Sequence, residues 1–189
     1  MGTFEQRILR LFEEIHPLDR IARAGFVLRG VTEPESVAAH SHFVALLTLL
    51  FVDEYPDAFD RERALTMALL HDLPEAILMD IPMPAGDGYL GEAKDNAEQA
   101  ILEKLMHGFP AKYAEFNRDL IDAGAPEARL VRGLDKVQMM LKIIMYEREG
   151  RGRLQEFWAN PKNFADYGCK QVSDLFDALC AGVGRPRPR

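Results

Sequence analysis

Four positions of this 189-residue chain carry a histidine or aspartate where helix packing calls for an apolar side chain: His40, His71, Asp72 and Asp135. His40 shares a helical face with Val37, Val44 and Leu47, and Asp135 shares one with Val131 and Leu134, followed by Gln138 and Leu141. His71 lies one turn beyond Met67 and Ala64, at the end of the apolar run from Met67 to Leu70. A carboxylate removed from water without a partner costs several kcal/mol, so Asp135 must meet a cation or hydrogen-bond donors. Two imidazoles and two carboxylates drawn from three helices make a mixed nitrogen and oxygen ligand set. Such a set suits Co²⁺, Mn²⁺, Ni²⁺, Fe²⁺ or Mg²⁺ better than a structural zinc site built from thiolates. Each member alone says little, because a lone histidine on an apolar face is ordinarily a hydrogen-bonded core residue and a His-Asp dipeptide arises readily by chance. The four together say more.

Two further acids sit near the dipeptide. Glu75 follows His71 by four residues and Asp72 by three, so a helix continuing past Leu73 would present all three on one face. Asp80 opens a stretch rich in proline and glycine, DIPMPAGDGYLG from Asp80 to Gly91. The segment from Asp19 to Pro34 holds Arg20, Arg23 and Arg29, a basic island in an acidic chain. Arginine offers planar, bidentate recognition of phosphate. Arg23 and Arg29 are close enough in sequence to His40 to reach the same pocket; the alternative for Arg29 is a surface pair with Glu33 or Glu35.

The elements that must carry these residues read as helices. Phe4, Ile8, Leu11, Phe12 and Ile15 fall on one helical face, and Pro17 ends that helix. Further helices are predicted over Glu35–Tyr55, Asp60–Asp72, Glu92–His107, Lys112–Asp122, Pro126–Glu149 and Asn163–Leu179. Pro74 opens a short new segment, and 19–34 and 80–91 read as loops. No repeat and no alternating strand pattern is present. The expected fold is all-α, one domain over 1–181 with a disordered Pro/Arg-rich tail over 182–189.

Charge sets limits on partners. The chain holds 23 Lys and Arg against 30 Asp and Glu, net −7. Three of those cations lie in the last five residues, leaving 20 against 30 elsewhere. Nucleic-acid polymers and anionic membranes call for a dominant basic face, so neither is an expected partner. The apolar run Phe43–Val52 is too short to span a bilayer. Cys169 and Cys180, eleven residues apart in a helical segment, would lie roughly 16 Å apart, beyond disulfide reach, which favours a reducing, cytoplasmic setting. Met1–Ile15 is amphipathic and acidic and has no signal-peptide pattern.

Taken jointly, the motifs resemble a family. The order His40, His71-Asp72, Asp135 is similar to the HD-domain metal-dependent phosphohydrolases. HDLPEAILMDIPMP (His71–Pro84) resembles the HD-x-x-E-x-x-x-G-D-I/L-x-x-P signature of the HD-domain 5′-deoxynucleotidases. RAGFVLRGVTEPESVAAHS (Arg23–Ser41), LDKVQMMLKIIMYE (Leu134–Glu147) and GRLQEFW (Gly152–Trp158) extend the likeness to about Leu9–Leu179. It implies an HD-domain helical bundle in which His40, His71, Asp72 and Asp135 hold one divalent metal ion. His107 is the only histidine between Asp72 and Asp135, so the extra ligands of dinuclear relatives are missing. It further implies catalysis by Asp72 and Glu75, and substrate contacts from Arg23, Phe26, Arg29, Asp80, Ile81 and Met83, Asp80 alternatively holding a metal-bound water. The implied substrate is a small-molecule nucleotide, a (2′-deoxyribo)nucleoside 5′-monophosphate, and the implied assembly a homodimer. The alternatives are a nucleoside triphosphate phosphohydrolase, to which Lys94, Lys136 and Lys142 would contribute charge, and a non-catalytic nucleotide-binding module. Met79 stands where the family usually has glycine, and Phe26 where tryptophan is frequent.

Overall fold

The structure is a computed structural model and describes residues 2–188, with the backbone alone at positions 84 and 87. Helix starts follow the capping residues. Thr3 caps α1 (Phe4–Ile15) in a reciprocal arrangement with Gln6, Ser36 accepts from the Ala39 N–H at the start of α3 (Val37–Glu54), and Asp60 accepts from Arg63 at the start of α4 (Arg61–Leu70). α7 (Glu92–Leu105) and α8 (Lys112–Asp122) follow, and Pro126 sits in the first turn of the long α9 (Pro126–Arg148). The chain closes with α10 (Gln155–Ala159) and α11 (Lys170–Gly182).

α9 is the axis of the bundle. Leu130, Leu134, Val137, Met140 and Ile143 are fully buried along it, and α3, α4, α8 and α11 pack around it. α3 lays the stripe Val37, His40, Val44, Thr48 and Val52 inward against α4 and α9. Among the described residues α3 is the one helix long and apolar enough, by length and composition, to cross a membrane; its inner face here is the core of the bundle. Where α9 meets α11, Gly133 permits the approach: a Cβ there would lie 2.7 Å from a methyl of Val172.

The all-α expectation holds among the described residues, with one isolated bridge between Ala22 and Ser36. That bridge matters for the site, because it ties the arginine-bearing segment to the start of α3. The Arg23 N–H donates to Glu35 O and the Val37 N–H to Ile21 O. Four expectations are corrected. The segment 19–34 is not all loop: a 3₁₀ turn covers His16–Asp19 and α2 covers Ala24–Val27, whose Phe26 is buried. The helix through the His-Asp dipeptide stops at Leu70; a separate turn, α5 (Glu75–Leu78), follows Pro74. The segment 80–91 winds into α6 (Met83–Ala85) and a π-type turn (Gly86–Leu90), since proline fits a first helical turn. The last helix begins at Lys170 because Tyr167 and Gly168 take positive φ (51° and 75°), leaving Asn163 in a separate 3₁₀ turn, Pro161–Phe164.

The tail departs from its expected disorder as far as it is described; Arg189, like Met1, lies outside the described residues. Arg187 donates to the Ser173 hydroxyl at 2.8 Å and pairs with Asp166 at 2.8 Å. Arg185 lies 4.4 Å over the Trp158 ring and pairs with Glu147. Both cysteines are free and buried.

Met79 ends α5 at φ 66° and ψ 168°, a region that only glycine enters without strain, at a cost of about 1–3 kcal/mol for other residues. The Met79→Gly variant is therefore expected to be more stable by about 1 kcal/mol, after allowing for the larger unfolded-state entropy of glycine. Urea unfolding with an unchanged m-value measures the gain, and equal or lower stability would contradict the strain.

Candidate metal centre

Three helices and one loop bring the predicted residues together. His40 projects from the first turns of α3, and Asp135 from the middle of α9. His71 caps the C-terminus of α4, its backbone N–H reaching Met67 O, and the chain then turns sharply through Asp72 to Pro74. One ligand atom each from His40, His71 and Asp72 falls within a sphere where all lie within 4.8 Å of one another. His71 Nε2 is 3.5 Å from His40 Nε2 and 3.2 Å from Asp72 Oδ2. Asp135 flanks the cluster, its Oδ1 3.1 Å from His40 Nε2.

The hydrogen bonds around the histidines leave these inner atoms free. His71 Nδ1 is 2.8 Å from Ala68 O, and a carbonyl can only accept, so Nδ1 carries the hydrogen. His40 Nδ1 is 2.5 Å from Gln138 Oε1, likewise an acceptor. Each imidazole therefore turns its Nε2 toward the other, and Asp72 Oδ2 is buried with no hydrogen-bond partner. Lone pairs facing one another at this distance repel unless a cation lies between them. The donor set thus fits a divalent ion, with His40, His71, Asp72 and Asp135 as the residues that would hold it.

The local field agrees. Burial disfavours charge on His71, yet the Asp72 carboxylate outweighs it and raises the His71 pKa. Burial likewise works to raise Asp72, but His71, His40 and Arg23 hold it well below the usual carboxylate range. Asp135 is also held low, by Lys136, His40 and Arg23 against its burial. A proton and a metal ion compete for the same Nε2 atoms, so metal affinity must fall as pH drops. Glu75 goes the other way: burial first, then the Asp72 charge, push its pKa up to about 10. Its Oε2 is buried and without a partner.

The site opens into a cleft of about 610 Å³, ample for a small organic ligand. Arg23, Arg29, Ile81 and Met83 border it, with Lys94 and Lys136 beside them. Arg23 Nη1 sits 3.7 Å from Asp72 Oδ2 and its Nη2 3.8 Å from Asp135 Oδ1. Arg29 pairs with Glu156 across the rim, not with Glu33 or Glu35. Arg20 faces solvent beside Asp19. Phe26 and Asp80 also line the cleft and are held by other contacts. Phe26 touches the cleft wall but is 2% exposed, its ring packed edge-on against Tyr146 and tilted on Phe157, so no face is open for stacking. Asp80 binds Arg23 at 3.0 Å through one oxygen and the Ala24 N–H through the other, so it holds the arginine in place. Glu75 reaches the cleft from α5 and not from a continued α4.

The sequence reading missed the support behind His40. Gln138 donates to both oxygens of Glu35, at 3.2 and 3.0 Å, and Lys142 Nζ lies 3.8 Å from Glu35. The visible signal was an amide one turn beyond Asp135 on the buried face of α9.

The HD domain family model matches residues 15–172, which hold this cluster, and the chain belongs to that family. Among curated proteins, it is 33% identical over 157 residues to a Xenopus laevis protein named 5′-deoxynucleotidase HDDC2, spanning 80% of this chain and 76% of that one. A Schizosaccharomyces pombe protein named 5′-deoxynucleotidase hdd1 is 31% identical over 148 residues, 72% of each chain. Among solved structures, the PH0347 protein from Pyrococcus horikoshii is 34% identical, with a TM-score of 0.76 over 92% of this chain and 96% of that one.

A buried carboxyl whose folded pKa lies above its unfolded value keeps its proton in the native state. For Glu75 the penalty is absent below the ordinary 4.5 and grows as pH rises toward about 10. The metal-free Glu75→Gln protein should therefore melt within about 1 °C of wild type at pH 5 and at least about 3 °C above it at pH 8. Equal melting temperatures at both pH values would contradict the raised pKa.

Proposed function

We propose that this chain is a metal-dependent phosphomonoesterase that hydrolyses nucleoside 5′-monophosphates, with 2′-deoxyribonucleotides preferred, releasing nucleoside and phosphate. The observation that carries the reading is the convergence of His40 Nε2, His71 Nε2 and the partnerless Asp72 Oδ2 beside Arg23 and a buried Glu75, at one end of a nucleotide-sized cleft. The preference for deoxyribonucleotides rests on the names of the relatives and on nothing in the cleft itself.

A divalent ion held by His40, His71, Asp72 and Asp135 supplies Lewis acidity and neutralises charge that develops on the phosphoryl group. The remaining tasks fall to this chain's side chains. Arg23, fixed by Asp80, is the cation positioned to bind a phosphate dianion next to the cluster. Glu75 retains its proton through neutral pH, the state needed to protonate the leaving 5′-oxygen as the P–O5′ bond breaks and water oxygen bonds to phosphorus. Ile81 and Met83 offer apolar surface to the nucleoside.

A triphosphate substrate would need free cations along the phosphate chain. Lys142 points to Glu35 and Lys94 is engaged by Glu98, away from Arg23, which supports the monophosphate reading. A homodimer in a cytoplasmic setting completes the proposal. Apolar residues without cover on α3, Phe43 at 44% and Leu50 at 57% exposure, are available for self-contact.

Phosphate release from a panel of ribo- and deoxyribonucleoside monophosphates with Co²⁺, Mn²⁺ or Mg²⁺ tests the reading. Turnover is expected to stop with EDTA and in Asp72→Ala. It should fall by about 10²- to 10⁴-fold in Glu75→Ala that still binds metal. Activity that survives both EDTA and Asp72→Ala would overturn the metal mechanism, and tight nucleotide binding without turnover under any metal would favour the binding-module alternative.

A further inference from the structure

The two histidines of the cluster are held by different means. His71 Nδ1 is fixed by main chain, the Ala68 carbonyl within its own helix. His40 Nδ1 is fixed by a side chain on another helix, Gln138 Oε1 at 2.5 Å. An amide presents either an acceptor or a donor, and which face it turns is decided by its other neighbour. Here that neighbour is Glu35, whose two oxygens accept from Gln138 Nε2. Glu35 is itself held: its N–H donates to the Tyr146 hydroxyl at 2.8 Å, and Lys142 approaches its Oε2. His40, Gln138 and Glu35 are 0%, 4% and 8% exposed, so water does not substitute for any link.

We infer that Gln138 is a positioning residue for the metal centre: oriented by Glu35, it keeps the hydrogen of His40 on Nδ1 and so presents Nε2 bare to the cation. The inference rests on reading His40 as a metal ligand. If the amide were reversed, its oxygen would face the Glu35 carboxylate and its NH₂ would face His40 Nδ1. His40 would then need its hydrogen on Nε2, inside the cluster, where it blocks coordination. Glu35, two links away, thus orients the amide that faces His40 Nδ1, because both of its oxygens accept from Gln138 Nε2.

Two measurements on the full chain test this. Long-range ¹H–¹⁵N NMR of the metal-free protein, with His40 assigned by comparison with His40→Gln, reads the tautomer directly. Wild type is expected to carry hydrogen on Nδ1, facing the Gln138 oxygen; a His40 whose Nδ1 bears no hydrogen would overturn the inference without any variant. Gln138→Met, similar in length but unable to accept, is expected to give a mixed tautomer and to weaken Co²⁺ binding by about 10- to 100-fold in titration calorimetry. At saturating Co²⁺ the KM for a nucleoside monophosphate should stay within about twofold in Gln138→Met, since Gln138 does not line the cleft. A folded Gln138→Met protein with wild-type Co²⁺ affinity would overturn the role. Absent turnover with the expected tautomers and affinities would instead count against the phosphatase reading alone.

Discussion

His40 Nε2 and His71 Nε2 face each other at 3.5 Å, with Asp72 Oδ2 3.2 Å from one and 3.5 Å from the other. Three electron-rich atoms at such separations, buried away from water, form a stable interior only around positive charge. The rest of the molecule can be understood from that requirement. α9 passes beneath the cluster and contributes Asp135, so the packing that stabilises the bundle also places this carboxylate beside His40. The bridge between Ala22 and Ser36 brings Arg23 to the same place, where its guanidinium lies near Asp72, Asp80 and Asp135.

Net charge takes on a different meaning in this light. A chain at −7 is a poor partner for polyanions, but part of its acidity is concentrated where a cation belongs. Asp72 and Asp135 are held ionised, while Glu75, excluded from water and facing Asp72, holds a proton. Carboxyl groups so near one another are thus driven to opposite protonation states by their surroundings.

How much of this was legible in the sequence depended on the kind of residue. His40 and Asp135 stood out because a polar type interrupted an apolar stripe, and the fold that helical periodicity implied brought them together. The packing of Phe26 was not legible, because an aromatic beside an arginine looks the same in sequence whether its ring faces a ligand or a core; its neighbours Tyr146 and Phe157 lie more than a hundred residues away. The bonds of Asp80 to Arg23 and Ala24 were not legible either, since they cross more than fifty residues. Gln138 carried no charge and no metal-binding group, so only the contact with His40 gives it meaning. The short turns in 19–34 and 80–91 escaped because proline and glycine mark breaks without telling a loop from a first helical turn. Arg185 and Arg187 looked like an unstructured tail because their anchors, Trp158 and Asp166, come from elsewhere in the chain.

The central claim is that the cluster exists to hold a single divalent ion. Titration calorimetry of the metal-free chain with Co²⁺ tests it most directly. The account predicts one ion bound per chain, with binding lost in Asp72→Ala protein that keeps its helical circular dichroism. No binding by the wild-type chain, or undiminished binding by Asp72→Ala, would contradict it.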